Sequence, residues 1–136
     1  MPSPAYPIPT VAALLQGPSG RLLFVRTEKW RGLWGIPGGK VEWGERLLEA
    51  LRREIREEVG LEVIDPRWAM LQEGILEEEF YRPMHFLFLN YFAHSTSEEV
   101  RPNQEIQEWA WLEAEAAWGL PLNRPTRELL KLWGGA

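Results

Sequence analysis

Apolar and polar positions along this chain fall into two rhythms. The first is short and strand-like. Residues 11–15 are continuously apolar and predict a buried strand, Gly17-Pro18-Ser19-Gly20 predicts a turn, and residues 21–26 predict a second strand, so the two form a hairpin. Residues 61–64 predict a short strand ended by Asp65-Pro66, and residues 68–74 and 84–93 predict two longer ones. The run Met84-His85-Phe86-Leu87-Phe88-Leu89 is apolar at both alternating positions, as in a strand covered on both faces. Residues 125–133 predict a terminal helix with Leu129, Leu130 and Trp133 facing inward. Residues 1–10 carry Pro2, Pro4, Pro7 and Pro9, so they stay extended and donate few hydrogen bonds. They read as an arm or a tail ahead of one domain spanning residues 11–136.

The second rhythm runs from Gly39 to Leu61. On a helix turning by about 100° per residue, Leu47, Leu51 and Ile55 form an apolar stripe with Leu48 beside it. Arg46, Glu49, Arg52, Arg53 and Arg56 gather on the opposite side. Glu54 and Glu58 continue the apolar stripe, and Glu57 flanks them. A Glu-rich helix ordinarily faces water. Here Glu54 and Glu58 are like charges at i,i+4, which costs about 0.2–0.5 kcal/mol even on an exposed helix. At the edge of a buried stripe each also loses hydration. A divalent cation compensates both effects: Glu oxygens, a backbone carbonyl and waters make a hard-ligand set suited to Mg²⁺ or Mn²⁺. Gly44 is placed to cap the start of the helix and Gly60 to end it, with Glu45 in the first turn, where a carboxylate complements the helix dipole.

The same stretch resembles the Nudix box, G-x5-E-x7-R-E-U-x-E-E-x-G-U with U aliphatic. Gly39 opens it, Glu45 follows after five residues, and Arg53-Glu54-Ile55-Arg56-Glu57-Glu58-Val59-Gly60-Leu61 completes it. The box covers about a sixth of the chain, and every specified position matches. The resemblance implies an α/β domain, the Nudix fold, in which a mixed β-sheet is sandwiched between α-helices. It implies hydrolysis of a nucleoside diphosphate linked to a group X, with Mg²⁺ or Mn²⁺ held by Glu54, Glu57, Glu58 and the carbonyl of Gly38. Arg53, which taken alone reads as a surface ion-pair partner, would steer Glu54 by a charge-assisted hydrogen bond. Residues 105–112 resemble the closing strand of such domains, with an acid ahead of a Trp. Glu105 is the candidate metal ligand or base there, with a surface role as its alternative and Glu108 as second choice. Glu54 or Glu105 would take the proton from water. For Glu45 a structural role is preferred over direct chemistry.

Composition narrows this reading. The chain has 136 residues, 45% hydrophobic, no cysteine and a formal net charge of −5. Disulfides and thiolate metal sites are excluded, and a broad nucleic-acid surface is disfavoured. No run reaches the roughly 18–20 apolar residues of a membrane span, and no leader pattern precedes the first strand, so a cytoplasmic location is expected. The partner expected is a small nucleotide; family members are often homodimers, which this sequence does not establish. Most of the eight Trp residues are expected in the core or on the sheet. Trp30 and Trp34, in the loop before the box, are read as stacking on a base, with Lys40 and Tyr81 (beside Phe80 and Arg82) completing the substrate wall. Glu77-Glu78-Glu79 reads as an exposed hairpin loop, alternatively as extra metal ligands. His85 and His94 read as satisfied structural histidines. The segment WRGLWGIPGGKVEWGE most resembles MutT-type nucleoside triphosphate pyrophosphohydrolases. The alternatives are nucleotide-sugar, ADP-ribose or RNA 5′-end hydrolysis, and a nucleotide-binding sensor without catalysis.

Overall fold

Strand β1 (Ile8–Gln16) is the spine of the sheet. It pairs in parallel with β6 (His85–His94) along its whole length, from Ile8↔Phe86 to Gln16↔His94. On its other side it forks. Its far end pairs antiparallel with β2 (Leu22–Thr27) at Gln16↔Leu22, and its near end pairs with β4 (Gly38–Lys40) at Thr10↔Lys40 and Ala12↔Gly38. A two-residue β3 (Trp34–Gly35) and β7 (Ile106–Leu112) flank β2, and β5 (Ile64–Ile75) pairs antiparallel with β6 at the sheet edge. The computed structural model describes residues 5–134. The first four residues of the expected arm lie outside them. Ile8, Pro9 and Thr10 belong to β1 and not to an arm, because pairing with Phe86, Leu87 and Phe88 recruits them into the sheet.

Helix α1 (Leu47–Val59) covers one face of the sheet, burying Ala50, Leu51, Ile55 and Val59 against Val11, Ala13, Leu15, Leu23 and Tyr91. Helix α3 (Arg124–Leu132) covers the other, with Leu129 and Leu130 against Leu14, Leu22, Phe24 and Trp34. A short α2 (Ala114–Ala117), unexpected from the sequence, adds Ala117 to that second core. This is the mixed sheet between helices that the box implies. Among the described residues no helix is long and apolar enough to cross a membrane.

Several local expectations are corrected. α1 begins at Leu47 with Arg46 at its N-cap, so neither Gly44 nor Glu45 is helical, and Leu47 and Leu48 are exposed in its first turn. Gly44 instead takes a positive φ of 82° in the turn closed by the Glu45 N–H on the Glu42 carbonyl. Residues 61–63 are not a strand, although Leu61 and Val63 are buried. Asp65-Pro66 does not end a strand either. It sits in a bulge of β5, where the register shifts between Ile64 and Arg67. At a sheet edge the missing proline N–H costs no ladder bond.

Gly38 shows what the fork demands. A Cβ there would collide with the Val11 carbonyl and the Ala12 backbone. Gly38→Ala is therefore expected to destabilise the fold by about 1–3 kcal/mol, the usual range for overpacking. Denaturant unfolding measures this, and an unchanged midpoint would contradict the close approach of β4 to β1.

Candidate active site

The site forms where α1 runs past the glycine strand β4. Its organiser is Arg53, whose side chain is only 23% exposed. The guanidinium grips Glu45 with two bonds, Nε to Oε2 at 2.6 Å and Nη2 to Oε1 at 2.8 Å. Nη1 reaches Glu54 at 2.8 Å and Glu57 at 3.3 Å, and Nη2 also donates to the Lys40 carbonyl at 3.1 Å. Arg53 thus ties the preceding turn, the end of β4 and two box acids together, a larger set of partners than one surface ion pair. Glu45 is structural, but through Arg53 and not through the helix dipole. Its carboxyl is held down to about 2 by Arg53 and then by the Glu42 N–H. The same acids, Glu45 first and then Glu54, hold Arg53 firmly cationic.

The three box acids fan from interior to solvent. Glu58 is buried, the Glu54 side chain is 19% exposed and that of Glu57 59%. Gly39 allows this packing, since a Cβ there would collide with the Glu54 carboxylate. Burial pushes the Glu58 carboxyl up to about 8, and the nearby charges of Glu105 and Glu54 add to the shift. The Gly38 N–H and the Lys29 ammonium work weakly the other way. Glu105, just ahead of β7, pairs with Lys29 at 2.9 Å and lines the same cavity as the box acids. Glu108 pairs instead with Arg26 at 2.6 Å and is not part of the cavity wall.

Among the described residues, no three Asp, Glu or His side chains are gathered closely enough to close on an ion by themselves. The donors nonetheless fit a hard divalent cation. Glu58 is a buried carboxylate facing two more carboxylates, an arrangement that added positive charge relieves.

A cavity of about 600 Å³ joins these acids to an aromatic and amide-lined chamber. Gly38, Lys40, Glu54, Glu57, Glu58 and Glu105 line it, together with Trp30, Phe80, Phe86, Phe88, Asn90, Asn123 and Thr126. Trp30 packs edge-on against Phe80, with ring centroids 4.9 Å apart, and lies 6.0 Å from Phe88. Trp34 is not at this wall. It is buried in the core under α3, and its backbone N–H donates to the Pro121 carbonyl at 2.8 Å. Tyr81 is exposed outside the cavity, against Phe80 and beneath the Arg82 guanidinium. Most of the other tryptophans lie in the core or on the sheet: Trp34 is buried, Trp111 and Trp133 pack against the two cores, and Trp68 and Trp109 stand exposed on β5 and β7. Trp118 and Trp43 are exposed away from the sheet, Trp43 fully so at a turn tip.

The acidic run does lie in the hairpin loop between β5 and β6, with Glu78 exposed, but Glu77 and Glu79 are half-buried in ion pairs and are not part of the cavity wall. Glu77 pairs with Arg124, and Glu79 accepts the Arg124 N–H at 2.6 Å and pairs with Arg127 at 3.3 Å. The run thereby pins the start of α3 and places Phe80 over the cavity. His85 departs from expectation too, since its buried Nε2 has no hydrogen-bond partner among the described residues. Sequence reading missed Lys29, Asn90, Asn123 and Thr126. Two had a signal: Asn90 interrupts the apolar run FLFLNYFA, and Asn-x-Pro-Thr at residues 123–126 is a helix start, with Asn123 Oδ1 accepting from the Thr126 N–H.

A model of the NUDIX domain matches residues 7–133. The chain belongs to the Nudix family and is an enzyme of its pyrophosphohydrolase class. Nucleoside triphosphatase NudI of Escherichia coli K12 is 38% identical over 114 residues, covering 76% of this chain and 77% of NudI. The crystal structure of a MutT Nudix hydrolase from Burkholderia pseudomallei superposes with a TM-score of 0.79 at 27% identity, covering 93% of this chain and 98% of that one. The solution structure of the E. coli ORF135 protein gives 0.77 at 25% identity, covering 94% and 89%.

Proposed function

We propose that this enzyme is a Mg²⁺-dependent nucleoside triphosphate pyrophosphohydrolase that releases a nucleoside monophosphate and pyrophosphate. The observation carrying this reading is the continuity of one cavity from the acids of α1 to the chamber beside Trp30, which suits a molecule with a polyanionic end and a flat ring. The description of the NudI relative as a nucleoside triphosphatase supports it.

Glu54, Glu57 and Glu58, with the Gly38 carbonyl and Glu105, would hold the metal. When bound, it neutralises the diphosphate and makes a water acidic enough to attack. The chain's own groups do the rest. Arg53 fixes the Glu54 carboxylate, and Lys40 at the cavity mouth meets phosphate charge. Glu54 or Glu105, each held by one basic partner, accepts the water proton. Trp30 offers a stacking face to the base. Incubation with the common nucleoside triphosphates, sugar nucleotides and ADP-ribose, with Mg²⁺ or Mn²⁺, tests the proposal by identifying both products. Monophosphate plus pyrophosphate is the expected pair, and no turnover of any triphosphate would overturn it. Trp30→Ala is expected to raise KM roughly ten-fold or more with kcat little changed, since stacking contributes about 1–3 kcal/mol. An unchanged KM would place the base elsewhere.

A further inference from the structure

We infer that the inner chamber reads a carbonyl group on the bound ring: Asn90 donates to it, and Gln72 and Arg124 are positioning residues that keep the Asn90 amide from turning over. The inference rests on the nucleotide reading above and narrows its substrate class to bases that turn a carbonyl, and not an exocyclic amino group, toward Asn90.

A chain of one-way partners fixes these amides. The Arg124 guanidinium can only donate, and its Nη1 reaches Gln72 Oε1 at 3.3 Å. The Pro125 carbonyl can only accept, and Gln72 Nε2 donates to it at 2.8 Å. The Gln72 amide is thus oriented from both ends. Its Nε2 also donates to Asn90 Oδ1 at 2.9 Å, so Asn90 must turn its oxygen toward Gln72. Gln72 and Asn90 are 6% and 3% exposed, so water does not compete for these bonds. Asn90 lines the cavity, and among the described residues its Nδ2 has no acceptor. That N–H₂ is the polar atom it offers to a ligand. Asn123 behaves alike: its Oδ1 is consumed at the start of α3, which leaves its own Nδ2 as the donor end. Two buried amides with their acceptor ends occupied make a donor-rich chamber. A ring that presents a carbonyl satisfies it, whereas an exocyclic amino group at the same position sets donor against donor.

The test compares kcat/KM with Mg²⁺ within two matched pairs, dITP against dATP and dUTP against dCTP, which differ by keto for amino at one ring carbon and by N–H for bare N at the ring nitrogen beside it. The keto member of at least one pair is expected to be favoured roughly ten-fold or more. Asn90→Asp presents an acceptor in place of the donor. Its charge lowers activity on all four, but the keto-to-amino ratio is expected to fall to one or below. Gln72→Glu still pairs with Arg124 yet can only accept, so it gives up the Pro125 carbonyl, and Asn90 turns to donate to it and shows Oδ1 to the cavity. The same loss of preference is expected although residue 72 never touches the nucleotide, an outcome a merely structural role would not give. Equal rates within both pairs for the wild type, a preference for the amino members, or ratios unmoved in both variants would overturn the inference while leaving triphosphate hydrolysis intact. Failure to hydrolyse any of the four would overturn the proposed function and this inference with it.

Discussion

Glutamine in place of Glu58 is expected to lower kcat by roughly 10²–10³-fold, the scale of losing one electrostatic group aimed at reacting charge. The same change is expected to make the metal-free protein more stable at alkaline pH. Both follow from burying a carboxylate beside Glu54 and Glu105. The Glu58 carboxyl ordinarily titrates near 4.5 and is pushed to about 8 in the fold. Between those values the folded protein keeps a proton that the unfolded chain has released, so stability falls as pH rises through the window. The slope is at most about 1.4 kcal/mol per pH unit. Glutamine carries no such penalty, and a bound divalent cation offsets it in the wild type. Thermal unfolding from about pH 5 to about pH 9, with and without MgCl₂, reads all three effects. The wild type without metal should lose Tm across this range, the glutamine variant should not, and Mg²⁺ should raise Tm most at the alkaline end. A flat wild-type profile with a variant less stable throughout would refute this account of Glu58.

Lysine in place of Arg53 is expected to lower kcat and Mg²⁺ affinity by about 10–100-fold each, the usual cost of losing a group that orients metal ligands. Charge is conserved, so the loss reports geometry. Arg53 makes two bonds to Glu45 while holding Glu54 and Glu57, and a single ammonium cannot bridge all three. A second readout concerns acid stability. Glu45 is held at about 2 in the fold against an ordinary value of 4.5. Its pairing stabilises the protein above pH 4.5, and that stability is lost as pH falls toward 2. In the lysine variant this acid-side loss should shrink, because less pairing remains to be broken. Wild-type kcat in the variant would show that these bonds serve the fold and not the reaction.

The difference between Trp30 and Trp34 shows where sequence reading stops. Both lie in one short loop and read alike. In the fold, β3 sends Trp34 into the core under α3, and the turn Glu28–Trp30 sets Trp30 against Phe80 at the cavity. The ion pairs of the Glu77-Glu78-Glu79 loop left no sequence signal for a related reason. Its partners, Arg124 and Arg127, lie far along the chain on an element whose docking no local pattern encodes.

What the amino-acid order determined alone was the acid-bearing helix. A helical period is local, so the spacing of Leu51, Ile55, Glu54 and Glu58 was enough to place an acid on a core-facing stripe and to require compensating charge. What only the tertiary structure decided was the company those residues keep. Arg53 turned from the expected basic face onto Glu45, Lys29 met Glu105, and Arg124, Gln72 and Asn90 aligned into one relay. These partners are brought together by strand pairing and helix docking, whose register depends on packing over the whole sheet and leaves no periodic trace in the chain.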